Sequence, residues 1–209
     1  MGSANFALVL GFTAFMAGVT PAAWAQNDAA EPPLVTQHPA LREALARIER
    51  GSASWRAAMD EVAGLGRRAV VVTPDQVVVR DAATGATAPF DQSAVAEVSP
   101  AADEHGNVTA VLVVVNVARI QQIHERSGSL PAEFHADLDR VLAHEVYGHA
   151  VPLLIAGHLS GRCADPDRGQ SASESCAIRR ENVVRRELRL GRRTDAALAS
   201  LTLAWLGSR

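Results

Sequence analysis

The chain has 209 residues, 48% of them hydrophobic, and a formal net charge of −3. That length supports one well-packed core and is short for two ordinary domains, and the near-neutral balance gives no electrostatic reason to expect a nucleic-acid partner. Every basic residue is arginine, which together with abundant alanine reads as coding bias rather than as chemistry.

The apolar, uncharged run from Phe6 to Val19 is followed by Pro21 and by Ala23-Trp24-Ala25. Small residues at the third and first positions before Gln26 read as a signal-peptidase site, so 1–25 is expected to be a signal peptide, and no stable membrane insertion is expected after cleavage. No Lys or Arg precedes the run, which keeps an uncleaved anchor as the alternative. Residues 26–37 are Ala, Asp, Glu and Pro-rich and read as a disordered lead-in to a single domain spanning 26–209. Export implies a secreted or periplasmic protein in an oxidising compartment. The two cysteines, Cys163 and Cys176, then predict one disulfide, which would restrict the unfolded chain by about 3 kcal/mol.

Leu41, Leu45 and Ile48 recur at helical spacing up to Gly51, and a second helix is expected from Ser54 to Leu65 before Gly66. Short strands follow at Ala69–Val72 and Val77–Val79 around a turn at Thr73–Gln76, with another over Asp91–Ser99. Val108–Val117 is the clearest strand; with so few polar positions it should be buried on both faces, with Asn116 near its end. It is expected either to offer a strand edge that holds extended backbone beside a functional site or to be a purely structural central strand. Ser129, Pro131 and Glu133 mark a helix start, Phe134, Leu138, Val141, Leu142 and Glu145 share one face, and Pro152 is expected to close the helix. Gly161–Ser175 reads as a loop, Ala177–Leu188 as a helix, and Asp195–Leu206 as a terminal helix packed on the core.

On the first of these late helices stands His144-Glu145-Val146-Tyr147-Gly148-His149. Histidines four apart on an α-helix lie about 40° from each other and both reach one ion; five apart they lie about 140° from each other. Both can serve one metal only if the helix carries an extra residue as a bulge, and Gly148 is the residue best able to absorb that distortion. A hydrolytic zinc site needs three protein ligands and an open position for water. Ala177, Glu181, Val184 and Leu188 form one stripe, so Glu181 is a carboxylate on an apolar face and the expected third ligand. Glu174, two turns earlier on the same side, is the runner-up, and an ion pair with Arg185 is the alternative role for Glu181. Glu187 lies on another face and is expected to be solvated.

The pattern His-Glu-x-x-x-His with glycine before the last histidine resembles the motif of dipeptidyl peptidase III, whose third ligand is a glutamate on a later helix. Glu181-Asn182-x-x-Arg185-x-Glu187-Leu188 is similar to the Glu-Asn helix of bacterial effector and toxin-type zinc metallopeptidases. The resemblance covers roughly Pro131 to Arg193. It implies one Zn2+ held by two histidines and a glutamate in a gluzincin-like arrangement, peptide hydrolysis, and a small zincin-like α+β domain with a short sheet packed on the motif helix. The chain is far smaller than a dipeptidyl peptidase III and its histidine spacing departs from the effector motif, so substrate type does not carry over.

The resulting expectation is an exported zinc peptidase acting on peptide or protein. His144, His149 and Glu181 would bind the metal, and Glu145 would act as general base and then acid. Tyr147, His135 and Arg185 are unranked choices for the second oxyanion donor. The rival expectations are an exported metal-binding or interaction domain without turnover, and a peptidase of cell-wall peptide stems.

Overall fold

A computed structural model of the chain describes residues 13–16, 32–80, 87–89, 95–128, 130–158 and 172–191. The expected terminal helix, Cys163, most of the 161–175 loop and nearly all of the expected signal peptide lie outside these residues. The fold is α+β, as expected.

Two sheets are present among the described residues. The larger is mixed: β2 (Leu34–Val35) and β7 (Val108–Val115) lie parallel to either side of β3 (Arg68–Val72), and β6 (Ala96–Ala102) runs antiparallel on the outer side of β7. The smaller sheet joins β1 (Thr13–Met16), β4 (Val77–Arg80) and β5 (Thr87–Pro89), all antiparallel. β1 lies inside the segment read as a signal peptide. β2 falls within the expected disordered lead-in: Ala69 N donates to the Pro33 carbonyl at 2.8 Å, and this parallel pairing draws the end of that segment into the sheet.

β7 is buried on both faces, as expected of its nearly unbroken apolar run. Val111, Val113 and Val115 enter the main core, while Val114 joins Val72 and Val77 in a second cluster on the other face, with Leu112 and Val70 packed against it. Because β7 is paired on both sides, it is a central structural strand, and the outer position beside it belongs to β6. The strand stops at Asn116, whose side chain accepts from Arg119 N at 2.9 Å and caps α3 (Val117–Ser127), a helix the sequence reading did not anticipate.

Helices cover the main core face. α1 (Pro39–Gly51) buries Leu41, Ala44, Leu45 and Ile48, the i, i+3, i+4, i+7 stripe of an amphipathic helix. Ser52 caps α2 (Ala53–Gly64) by accepting from Trp55 N at 3.1 Å. α4 (Pro131–Leu142) opens not on Ser129, which lies outside the described residues, but on Leu130, whose N–H donates to Glu133 Oε2 at 2.9 Å. Arg47 on α1 clasps Asp139 on α4 with both prongs of its guanidinium, at 2.8 and 3.2 Å.

Beyond α4 the same rod continues without a break through a π-helix (Ala143–Ala150) into α5 (Val151–Ala156). Pro152 therefore does not end the helix. It sits where the π-turn passes into α5, and the rod closes at Gly157, whose φ of 73° few other residues adopt. α6 (Ala172–Glu187) packs along the π-helix.

Candidate metal centre

The π-helix is the extra residue that the histidine spacing demanded. Val151 N–H bonds to the Val146 carbonyl, an i to i+5 closure, so a turn here holds more residues than an α-turn. Residues five apart thereby gain the relation that residues four apart have in an α-helix. His144 and His149 accordingly meet: their Nε2 atoms lie 3.3 Å apart, with the rings nearly perpendicular at 88°.

Gly148 makes this possible in a different way from the one expected. Its backbone is not in the left-handed region, and what demands glycine is proximity. A Cβ there would lie 3.0 Å from the Ala177 Cβ and carbonyl oxygen and 3.1 Å from its Cα. The missing side chain lets α6 lie directly on the π-helix. Arg180 of α6 donates to the Gly148 carbonyl at 3.3 Å.

Close approach of α6 delivers two glutamates, and it is Glu174, the runner-up, that lies beside both histidine Nε2 atoms. Glu174 Oε1 lies 3.3 Å from His144 Nε2, and Glu174 Oε2 lies 3.4 Å from His149 Nε2. His144, His149 and Glu174 form the one group among the described residues whose ligand atoms, all within 4.8 Å of one another, could hold a metal ion. Glu181, expected as the third ligand, sits on the opposite edge of the His144 ring, where Nδ1 donates to its Oε2 at 2.6 Å. The correction has a simple geometric source. Two turns of an α-helix return a side chain to the same face but about 10 Å along the axis, so the two carboxylates bracket His144 instead of sharing one point. Burial follows the same division: the Glu181 side chain is 1% exposed, whereas Glu174 at 30% and His149 at 20% border solvent.

The donor set fits zinc. For bond lengths of about 2.0–2.1 Å, two ligand atoms at the corners of a tetrahedron are separated by roughly 3.3–3.4 Å. That is the spacing of the two Nε2 atoms, while Glu174 reaches them with different oxygens, Oε1 at 3.3 Å from His144 and Oε2 at 3.4 Å from His149. A histidine that ligates through one nitrogen commonly donates from the other to a carboxylate, which is what Glu181 provides. Burial alone would lower the His144 pKa, but hydrogen bonds to Glu174 and Glu181, with the charges of Glu145 and Glu181, outweigh it and push it up to about 9. That carboxylate-rich surrounding is what a dication would meet.

Glu145 is half-buried beside the group, and its charge is felt at His144. The three residues considered for the second oxyanion donor are engaged elsewhere. Tyr147 stacks on Trp55, with ring centroids 6.3 Å apart and planes inclined by 19°; burial, then the charge of Glu187, raises its pKa. His135 is exposed next to Phe134, with its charge acting on Asp139. Arg185 donates to Glu181 Oε1 at 2.6 Å, the ion pair foreseen as the alternative for Glu181. Glu187 is not merely solvated: it accepts from Ser52 Oγ at 2.5 Å and from Ser54 Oγ at 2.7 Å, tying the end of α6 to the start of α2. No free cysteine occurs among the described residues, and Cys176 is buried in the first turns of α6.

No protein family, curated protein or solved structure matches the chain. Among the described residues no helix is long and apolar enough to cross a membrane.

Proposed function

We propose that the protein is an exported zinc-dependent peptidase in which His144, His149 and Glu174 hold the metal and Glu145 handles the proton. The observation that carries the reading is the convergence of one ligand atom from each of His144, His149 and Glu174 within 4.8 Å, on the side of His144 away from Glu181. A zinc ion bound there would act as a Lewis acid and lower the pKa of water to about 7. The chain's own residues do the rest. Glu181 holds the His144 ring with Nε2 turned toward the other two ligands. Glu145, following His144 on the same π-turn, takes the proton of the attacking water and returns it to the leaving amine. Substrate backbone is more naturally held by β6 than by β7, since β6 is the edge strand and packs beside the π-helix. A bridge between Cys163 and Cys176 is part of the same reading: it would anchor the chain leading into α6 close to Glu174.

Purified protein should contain about one zinc equivalent and cleave unfolded protein substrates. Glu145→Gln should keep the zinc and lose hydrolysis. Zinc retained with no cleavage of unfolded protein or of purified cell-wall sacculi in the unsubstituted protein would leave a metal-binding domain without turnover. Failure to take up zinc at all would refute the proposal.

A further inference from the structure

We propose that Arg185 is a positioning residue of this metal centre: it holds Glu181 in the one orientation that fixes the His144 ring with Nε2 toward His149 and Glu174. The inference rests on the zinc reading above and adds a residue that touches none of the ligand atoms.

Glu181 divides its two oxygens. Oε2 accepts from His144 Nδ1 at 2.6 Å, and Oε1 accepts from Arg185 Nη1 at 2.6 Å. With each oxygen engaged on a different side, the carboxylate cannot turn about its last bond without breaking a short contact. Arg185 is equally fixed. Its Nε donates to the Gly191 carbonyl at 2.9 Å, and its own carbonyl accepts from Leu190 N at 2.8 Å, closing the turn that ends α6. A planar guanidinium held at Nε by the Gly191 carbonyl and carried on a fixed backbone presents Nη1 in one direction, a property lysine lacks.

The pair is also sealed. Glu181 is 1% and Arg185 11% exposed at the side chain, and a carboxylate so buried persists as an anion only against a well-placed cation. The four-residue spacing on α6 puts that cation on the same face as Glu181 and one turn further from the metal. A chain of contacts therefore runs from the Gly191 carbonyl through Arg185 and Glu181 to the back of a ligand imidazole. Outer-shell partners of ligating histidines typically govern metal affinity by about 10–100-fold, and Arg185 should act at that level through Glu181 alone.

The test is a zinc competition titration, with thermal melting as the control for folding, on wild type, Arg185→Met, Glu181→Gln, the double variant and Arg185→Lys. Arg185→Met should weaken zinc by about 10–100-fold, and the double variant should bind within about threefold of the weaker single variant, because both substitutions break one chain of contacts. Zinc affinity of folded Arg185→Met within about twofold of wild type, or losses that simply multiply in the double variant, would overturn the inference. Should Arg185→Met not fold, Arg185→Lys decides. Its loss of affinity should vanish in the Glu181→Gln background, and a loss that persists there overturns the relay. Wild-type protein that takes up no zinc refutes the metal reading and this one together, whereas zinc-binding wild type with indifferent Arg185 variants refutes this one alone.

Discussion

Substituting Gly148 by alanine separates two reasons for having a glycine inside the motif. Were it there only to ease a helical distortion, alanine at a backbone that any residue adopts should stabilise the protein by about 0.5–1 kcal/mol. Were it there for close approach, the new methyl meets Ala177 at three points, with distances of 3.0, 3.0 and 3.1 Å. Two of those contacts are backbone, which cannot rotate away, so α6 must move off the π-helix by a few tenths of an ångström. Overpacking of this kind costs about 1–3 kcal/mol. Setting the helix-propensity gain against it leaves a net destabilisation of roughly 0.5–2 kcal/mol, or a fall in Tm of about 1–8 °C for a chain of this size. The displaced helix carries Glu174 and Glu181, so zinc affinity should fall in the same variant. Ala177→Gly in the Gly148→Ala background removes one of the three contacts and should restore part of both losses. Calorimetric melting and zinc titration measure the two effects; a Tm that is unchanged or raised would refute the close-approach argument.

Other outcomes follow from the same geometry. Glu174→Ala should abolish stoichiometric zinc binding while Glu181→Gln weakens it by about 10–100-fold; the reverse ranking, measured by elemental analysis after dialysis, would restore Glu181 as the ligand. In the protein stripped of metal with a chelator, His144 is held protonated up to about pH 9, and zinc must displace that proton. Uptake at pH 7 should therefore release about one proton from this ring, and apparent affinity should rise as the pH climbs toward 9, as calorimetry in buffers of different ionisation enthalpy will report. The raised pKa also means that the stripped protein holds this contribution to stability in full below about pH 6.5 and loses it as the pH rises through about 9. Glu187 runs the other way: the hydrogen bond from Ser52, offset in part by burial and reinforced by Ser54 and the charge of Arg186, lowers its pKa from 4.5. Its contribution is present above the unfolded value and disappears as the pH falls through the folded one. Glu187→Gln should accordingly lower stability above the unfolded value by a constant amount, leaving the slope above about pH 6 unchanged, and flatten the acid limb of a stability-against-pH curve.

How much was legible in the sequence depended on whether the deciding interaction was local. The stripe on α1, the position of α2 and the doubly buried β7 could be read because period and neighbours are a few residues apart. The π-turn was legible for the same reason: two histidines that must meet, five residues apart, leave a helix only one way to comply. Local signals also misled. Asn116 closes a long apolar run and so read as the tail of a strand, when its side chain caps the next helix. Pro152 read as a terminator because a proline inside a helical pattern normally ends it, whereas here the rod runs on from the π-turn into α5.

The choice between Glu174 and Glu181 shows where one-dimensional reasoning stops. Both lie on the same face of α6, and the apolar stripe favours Glu181 because it is the better buried. Burial, however, is the wrong criterion for a ligand of the proposed metal centre. A metal that must admit water and substrate needs a side open to solvent, and the carboxylate bordering that side is Glu174, exposed to 30% against 1% for Glu181. A carboxylate sealed beside an arginine is instead suited to orienting a neighbour that does the ligating. What the sequence could not supply was the height of α6 along the π-helix, and that height is set by Gly148 and Ala177 in contact. One missing methyl group thus determines which of two glutamates meets the histidine nitrogens and which stands behind the ring.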